Sequence, residues 1–173
     1  MKNLMYSIGK KALHATKNKV NSKLKNKVLK KYIYLIKKNK KLIVQQNKKD
    51  IKFAIRKKIK KNLVERLTIN NKKINNICSA IKSVKSLKDP IDITLEKWKR
   101  PNKLIIKKVS VPIGVIGVIF ESRPNVASDI SCLCFKSGNA VILRGGSEAL
   151  NSNKILIALF RKTLKIFKID PNY

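Results

Sequence analysis

Two short clusters hold the side chains best suited to chemistry. In the first, Arg144-Gly145-Gly146 is followed by Glu148. The paired glycines leave the backbone uncovered, so that main-chain N–H groups can approach an anion, and Arg144 adds a fixed cation with fork geometry. That combination suits the phosphates of a dinucleotide, although the G-x-G-x-x-G spacing is absent and Gly-Gly after a strand also serves as a plain turn. The second cluster is Glu121-Ser122-Arg123-Pro124-Asn125. Here Arg123 offers its charge to a phosphate or carboxylate, or to a salt bridge with Glu121 or Asp129. Asn125, beside a proline, reads by itself as an ordinary helix cap. Other reactive side chains are few. Cys132 and Cys134 stand two apart in a predicted helix, so they point to different faces and cannot chelate a metal together. Both read as small buried residues packing a helix against a sheet, and Cys78 lies beside the apolar face of an earlier helix. His14, the single histidine, has no acidic or nucleophilic partner near it in sequence and reads as a surface or packing residue.

Both clusters lie where predicted strands end. Val115 to Phe120 is an apolar, β-branched run that suits a strand buried on both faces. Val126, Ile130 and Leu133 then recur at helical spacing, and Gly138-Asn139 stops that helix as a left-handed cap would. Ala140 to Leu143 reads as a second short buried strand, and a helical pattern resumes at Ile155, Leu159, Leu164 and Phe167. Strand, crossover helix, strand and helix form a βαβα unit, whose parallel strands bring both clusters to one edge of a sheet. Ligands of open α/β sheets bind at that edge.

The stretch from Val111 to Gly146 reads VPIGVIGVIFESRPNVASDISCLCFKSGNAVILRGG and holds five of the six glycines. It resembles the gamma-glutamyl phosphate reductase (glutamate-5-semialdehyde dehydrogenase) family of the aldehyde dehydrogenase superfamily. The family's P-[IL]-G-V-I-G-V-I-[FY]-E-x-R-P-N-V strand and turn stands here, and so does its x-G-N-A-V-I-L-R-G-G-x-E continuation. The order of elements extends the resemblance over essentially the whole chain, with the diagnostic positions in residues 111 to 148.

The resemblance implies an α/β fold with an N-terminal helical region (about 1–90) and a β-hairpin (about 91–111). The first βαβα part of an aldehyde-dehydrogenase-type, Rossmann-like cofactor domain (about 113–168) would follow, without its remaining strands and without the catalytic domain. It implies reduction of gamma-glutamyl phosphate by NADPH to glutamate-5-semialdehyde and phosphate, a step of proline synthesis in the cytoplasm. Arg144 and Glu148 would line the adenosine ribose, with Gly145 and Gly146 beside the phosphates, and an arginine at this strand end is compatible with a 2'-phosphate. Asn125 would donate its amide to the oxyanion formed when a catalytic thiolate attacks the acyl carbon, although the turn is longer here than in most aldehyde dehydrogenases. Arg123 would hold the phosphate or carboxylate of the substrate. In the family a cysteine displaces phosphate to give a thioester that accepts hydride. That cysteine belongs to a domain beyond Tyr173, and none of Cys78, Cys132 or Cys134 matches its motif. The implied partners are further copies in a homo-oligomer, glutamate 5-kinase, or a second polypeptide carrying the catalytic domain.

Ahead of the motif the pattern is helical. Leu4, Ile8 and Ala12-Leu13 predict a first helix. Ser22 is placed to cap a second helix striped by Leu24, Val28, Tyr32, Leu35 and Ile36. A third is predicted from about Val44, with Ile51, Ile55 and Ile59 inward, then a short turn through Leu63 and Leu67. Thr68 is placed to cap a helix with Ile74, Ile77, Ile81 and Val84 inward, ended by Asp89-Pro90. Alternation at Ile93 and Leu95, a turn at Arg100 to Lys103 and the run to Val111 predict two antiparallel strands. Trp98 sits either on a hairpin projecting toward a neighbouring subunit, as the resemblance implies, or in a local core.

Composition bounds the alternatives. The 173 residues carry 42 Lys and Arg against 9 Asp and Glu, a net charge of +33. The excess is uneven: residues 1–108 hold 34 basic and 5 acidic groups, whereas residues 109–153 hold 3 of each. Only six of the basic residues are arginine. The lysines travel with Asn and Ile, which share A/T-rich codons, so genome composition is sufficient to explain them, and blocks of lysine are commonly solvated helix faces. An inactive gene remnant and a lysine-rich nucleic-acid-binding module stand as alternatives to the reductase reading, with non-specific nucleic-acid binding expected in any case. Three cysteines argue against a disulfide framework and suit a reducing compartment. No apolar run is long enough to span a bilayer.

Overall fold

The computed structural model describes residues 2–173. Five helices come first: α1 (Lys2–Thr16), α2 (Ser22–Lys38), α3 (Lys40–Arg56), α4 (Lys61–Leu67) and α5 (Asn71–Ser86). An antiparallel pair follows, β1 (Thr94–Lys99) and β2 (Ile105–Val109). The parallel unit is β3 (Val115–Ile119), α6 (Pro124–Lys136) and β4 (Ala140–Arg144), after which a 3-10 turn (Ser147–Ala149) leads into α7 (Leu150–Ile166).

The ends of these helices follow from local hydrogen bonding. Asn21 caps α2 by accepting from the Leu24 N–H at 2.9 Å, and Asn70 caps α5 by accepting from Lys73 N–H at 2.8 Å. The expected caps Ser22 and Thr68 are displaced by one and two positions. Ser22 is already helical, and the Thr68 hydroxyl closes α4 instead by donating to the Val64 carbonyl. Helix α6 starts with Pro124, whose missing N–H costs nothing in a first turn. It stops at Gly138 with φ +72°. There Asn139 N–H bonds back to Cys134 O and Gly138 N–H to Phe135 O, a Schellman closure that satisfies two otherwise orphaned carbonyls. Asn139 Oδ1 also accepts from Gly114 N–H at 2.8 Å, which ties the end of α6 to the start of β3.

The main core is helical and draws on both halves of the chain. Val28, Tyr32 and Ile36 of α2 and Ile74, Ile77 and Ile81 of α5 share one apolar cluster with Phe135 of α6 and Leu156 and Phe160 of α7. Aromatic edges meet within it: Tyr32 on Phe160 at 5.1 Å between centroids, and Phe135 on Tyr173 at 5.2 Å. The Tyr32 hydroxyl is satisfied by Ser128 Oγ at 2.9 Å and the Leu156 carbonyl at 3.1 Å.

Two helices turn differently from their apolar spacing. In α3 the inward residues are Ile43, Asn47, Asp50 and Ala54, while Ile55 is exposed. The reason is polar: Asp50 accepts from Asn151 N–H at 3.0 Å and Ser152 N–H at 2.7 Å, capping α7 from another helix. In α6 the buried face is the small-residue side, Ala127, Ser128, Ser131 and Cys132 with Phe135. Val126 and Ile130 are half-buried and Leu133 is exposed, because close packing on α5 and α7 favours the smaller side chains.

β3 and β4 pair in parallel from Val115↔Ala140 to Ile119↔Arg144, the only strands in their sheet among the described residues. Their expected burial on both faces is not realised. Ile119 is 83% exposed, and the remaining β3 side chains are only partly covered. The hairpin is more open still: every β1 residue is exposed, and Trp98, opposite Ile106, plugs no local core. No helix among the described residues is long and apolar enough to cross a membrane.

Candidate active site

The C-terminal ends of β3 and β4 bring the two reactive clusters side by side. Phe120 N–H bonds to the Arg144 carbonyl at 3.0 Å, extending the ladder one step beyond the strands. The chains then part around the two glycines. A Cβ on Gly145 would stand 2.5 Å from Asn153 Nδ2 and 2.8 Å from Phe120 Cζ. One on Gly146 would overlap Ser122 Oγ and come within 2.7 Å of Glu148 Oε2. A side chain at either position would have to displace these neighbours, Asn153 and Phe120 at Gly145 and the bonded pair Ser122 and Glu148 at Gly146. The Gly145 and Gly146 N–H groups have no hydrogen-bond partner within the described residues.

Two cavities open from this crossing. One, of about 430 Å³, lies between α4 and the loop after β3. Its apolar floor is Ala54, Ile59 and Leu67, and its polar rim is Arg66, Glu121, Ser122, Arg123 and Glu148. The other, of about 620 Å³, runs past Phe120, Gly145 and Gly146 to Asn153, Lys154 and Arg161 of α7. Asn153 Oδ1 is buried with no hydrogen-bond partner in the described structure.

The sequence-derived residues distribute as follows. Arg123, Gly146 and Glu148 share the first cavity, and Gly145 and Gly146 line the second. Arg144 is exposed and lines neither. Arg123 forms no salt bridge with Glu121 or Asp129; the ion pairs among the described residues are His14–Asp170, Lys25–Asp89 and Lys108–Glu96. Asn125 is the second residue of α6, not its cap, and its Nδ2 donates to Asp129 Oδ2 at 3.1 Å. Burial pushes the Asp129 carboxyl up, and the Asn125 bond partly offsets this. Glu148 Oε2 accepts from Ser122 Oγ at 2.6 Å, a bond that holds its carboxyl below the usual range and fixes it as an anion.

Sequence reasoning passed over Ser122, Arg66 and Asn153. Ser122 had a local signal, since it lies inside the cluster already singled out. Arg66 and Asn153 had none, because only tertiary packing brings α4 and α7 to the strand ends. All three cysteines are buried and free. Burial raises the Cys132 thiol well above its ordinary value, with the Asp129 charge adding to the effect, and burial also raises those of Cys78 and Cys134.

No family model matches the chain. A gamma-glutamyl phosphate reductase from Caldanaerobacter subterraneus subsp. tengcongensis is 56% identical over 100 residues, 58% of this chain and 24% of the relative. The crystal structure of gamma-glutamyl phosphate reductase from Thermotoga maritima matches 96% of this chain and 41% of its own at 38% identity, with a TM-score of 0.94. A probable aldehyde dehydrogenase from Listeria monocytogenes EGD-e covers 98% of this chain and 34% of its own, with a TM-score of 0.63 at 14% identity, a likeness of fold alone. The chain spans about a quarter of the length of the curated relatives it matches. Over the part that it spans, the chain is similar in sequence and in fold to the gamma-glutamyl phosphate reductases, and in fold alone to the probable aldehyde dehydrogenase.

Proposed function

We propose that the chain forms the cofactor-edge part of a cytoplasmic, NADPH-dependent gamma-glutamyl phosphate reductase of proline biosynthesis, converting gamma-glutamyl phosphate to glutamate-5-semialdehyde and phosphate. The observation that carries this reading is the sheet edge itself. Two glycines with unpaired N–H groups, a free Arg144 and the ionised Glu148 stand at the end of β4, one loop away from Arg123 and Asn125. Those groups fit a dinucleotide. The glycine N–H groups are open to its pyrophosphate, Arg144 is free to grip a 2'-phosphate, and Glu148 is an acceptor for a ribose hydroxyl. When bound, the nicotinamide supplies a hydride to the acyl carbon.

The chain's own residues act on the substrate side. Arg123 neutralises the acyl phosphate as it leaves. Asn125 turns its amide from Asp129 toward the oxyanion, where a donor aimed at developing charge stabilises the transition state. Asp129 then keeps a buried carboxyl whose burial favours the neutral form. None of the three buried cysteines lines either cavity, so in this reading the nucleophile comes from polypeptide outside residues 1–173. The exposed apolar side chains of the hairpin, Leu95, Trp98 and Ile105, support it as the surface for a homo-oligomer or for that second polypeptide.

The test compares cofactors in a completed enzyme. Arg144→Ala weakens NADPH binding more than NADH binding, since only NADPH offers a phosphate to the guanidinium. Equal losses for both would mean that Arg144 does not read the 2'-phosphate.

A further inference from the structure

The 430 Å³ cavity between α4 and the loop after β3 carries more than an anion site. Its rim holds two guanidinium groups, Arg66 and Arg123, and two carboxylates, Glu121 and Glu148. A pocket built only to attract phosphate would have no use for the carboxylates, which repel it. Their roles differ. Glu148 is already committed to Ser122 Oγ at 2.6 Å and Ser147 Oγ at 3.3 Å. The Glu121 carboxylate has no hydrogen bond or ion pair within the described residues, and neither guanidinium has an ion-pair partner there.

The two arginines come to the cavity from different elements. Arg123 precedes Pro124 and Asn125 at the start of α6, next to the amide assigned to the reacting carbon. Arg66 belongs to α4 and lines the same cavity, whose apolar lining includes Ala54, Ile59 and Leu67. Such a lining suits a short methylene chain, with one charged end at Arg123 and the other at Arg66.

We infer that this cavity is the recognition site for an α-amino-acid head group, with Arg66 holding the α-carboxylate and Glu121 the α-ammonium. The inference rests on the reductase reading for which end of the substrate reacts, and it adds the residues that select an amino acid over a plain diacid. Arg66 pairs with a carboxylate through a two-pronged fork, and Glu121 supplies an opposite charge that a ligand without an ammonium leaves unanswered.

The test uses residues 1–173 and three probes: L-glutamate, glutarate, which lacks the ammonium, and 4-aminobutyrate, which lacks the α-carboxylate. Binding is read by ligand-observed NMR, with NADPH binding followed by fluorescence in the same preparation. Non-specific attraction to a chain of net charge +33 favours the doubly charged glutarate. The inference requires the opposite order, glutamate tightest. Arg66→Gln lowers glutamate affinity about tenfold or more without weakening 4-aminobutyrate, while Glu121→Gln lowers glutamate affinity without weakening glutarate. If either variant fails to fold, the order of the three probes on the unaltered chain decides alone. A chain that binds NADPH but holds glutamate no tighter than glutarate refutes the head-group site and leaves the reductase reading standing. One that binds neither NADPH nor glutamate counts against both.

Discussion

Replacing Asp50 with alanine removes the carboxylate that joins the N-terminal helices to the functional edge. Asp50 is 2% exposed and accepts four hydrogen bonds: from Asn151 N–H and Nδ2 at 3.0 and 2.8 Å, and from Ser152 N–H and Oγ at 2.7 and 2.6 Å. Two of these donors are first-turn amides of α7, which have no partner within their own helix. Loss of a helix cap by itself costs about 0.5–2 kcal/mol. Here the donors are buried and the acceptor is a carboxylate, so the larger penalty for breaking a buried charged network applies, about 3–5 kcal/mol. A typical domain has only about 5–15 kcal/mol in total. Urea unfolding followed by far-ultraviolet circular dichroism measures the change. A second readout is local: α7 begins just after Ser147–Ala149, so the Ser122–Glu148 bond should loosen in the variant even under native conditions. A loss below about 1 kcal/mol, with Ser122 and Glu148 unmoved, would refute the cap as the anchor of this edge.

Gly146→Ala forces Ser122 Oγ and Glu148 Oε2 apart, so NMR signals of both loops should shift while the helical core stays intact; an unperturbed Ser122 would contradict the close approach. Glu148 is held below its ordinary value of 4.5, so its contribution to stability is complete above that value and is lost as pH falls through the lower folded value. Ser122→Ala should move the Glu148 titration back up toward 4.5, and no movement would remove Ser122 as the cause. Cys132, buried and with its thiol raised, should react with a thiol reagent at neutral pH only on unfolding; fast labelling of the native chain would show an access path that the structure lacks. Binding to duplex DNA should be weak, indifferent to sequence and abolished by salt, because it rests on lysine–phosphate contacts alone; a salt-resistant complex with one defined nucleic acid would promote the lysine-rich module instead.

What the sequence made legible was set by short-range rules. The β3–α6–β4 unit was readable because its glycines, its proline and its β-branched runs act within a few residues. Gly138 closes α6 by a backbone conformation that only a local pattern demands. The turn that carries Arg123 and Asn125 was readable for the same reason. Asp50 and Asn47 were not, because nothing in their neighbourhood reveals their distant partners: Asn151 and Ser152 for Asp50, and Leu67, Ile69 and Ser152 for Asn47. Apolar spacing then pointed α3 inward through Ile51 and Ile55, when a buried carboxylate had already fixed its rotation. Arg66 was hidden by distance too, since only the packing of α3, α4 and the 3-10 turn around Ala54, Leu67 and Ala149 brings it to the cavity that Arg123 lines. The burial expected of β3 failed on one face because two paired strands leave Ile119 in the open.

The most direct measurement places residues 1–173 in the matching part of the Thermotoga maritima reductase, with which they share 38% identity and a TM-score of 0.94. The chimera is assayed in the reverse direction, as phosphate-dependent reduction of NADP by glutamate-5-semialdehyde, beside residues 1–173 alone. The account predicts turnover by the chimera, its loss on Arg123→Ala, and none from the shorter chain. A folded chimera without turnover would contradict it, and so would activity from residues 1–173 alone that stops when Cys132 or Cys134 is replaced.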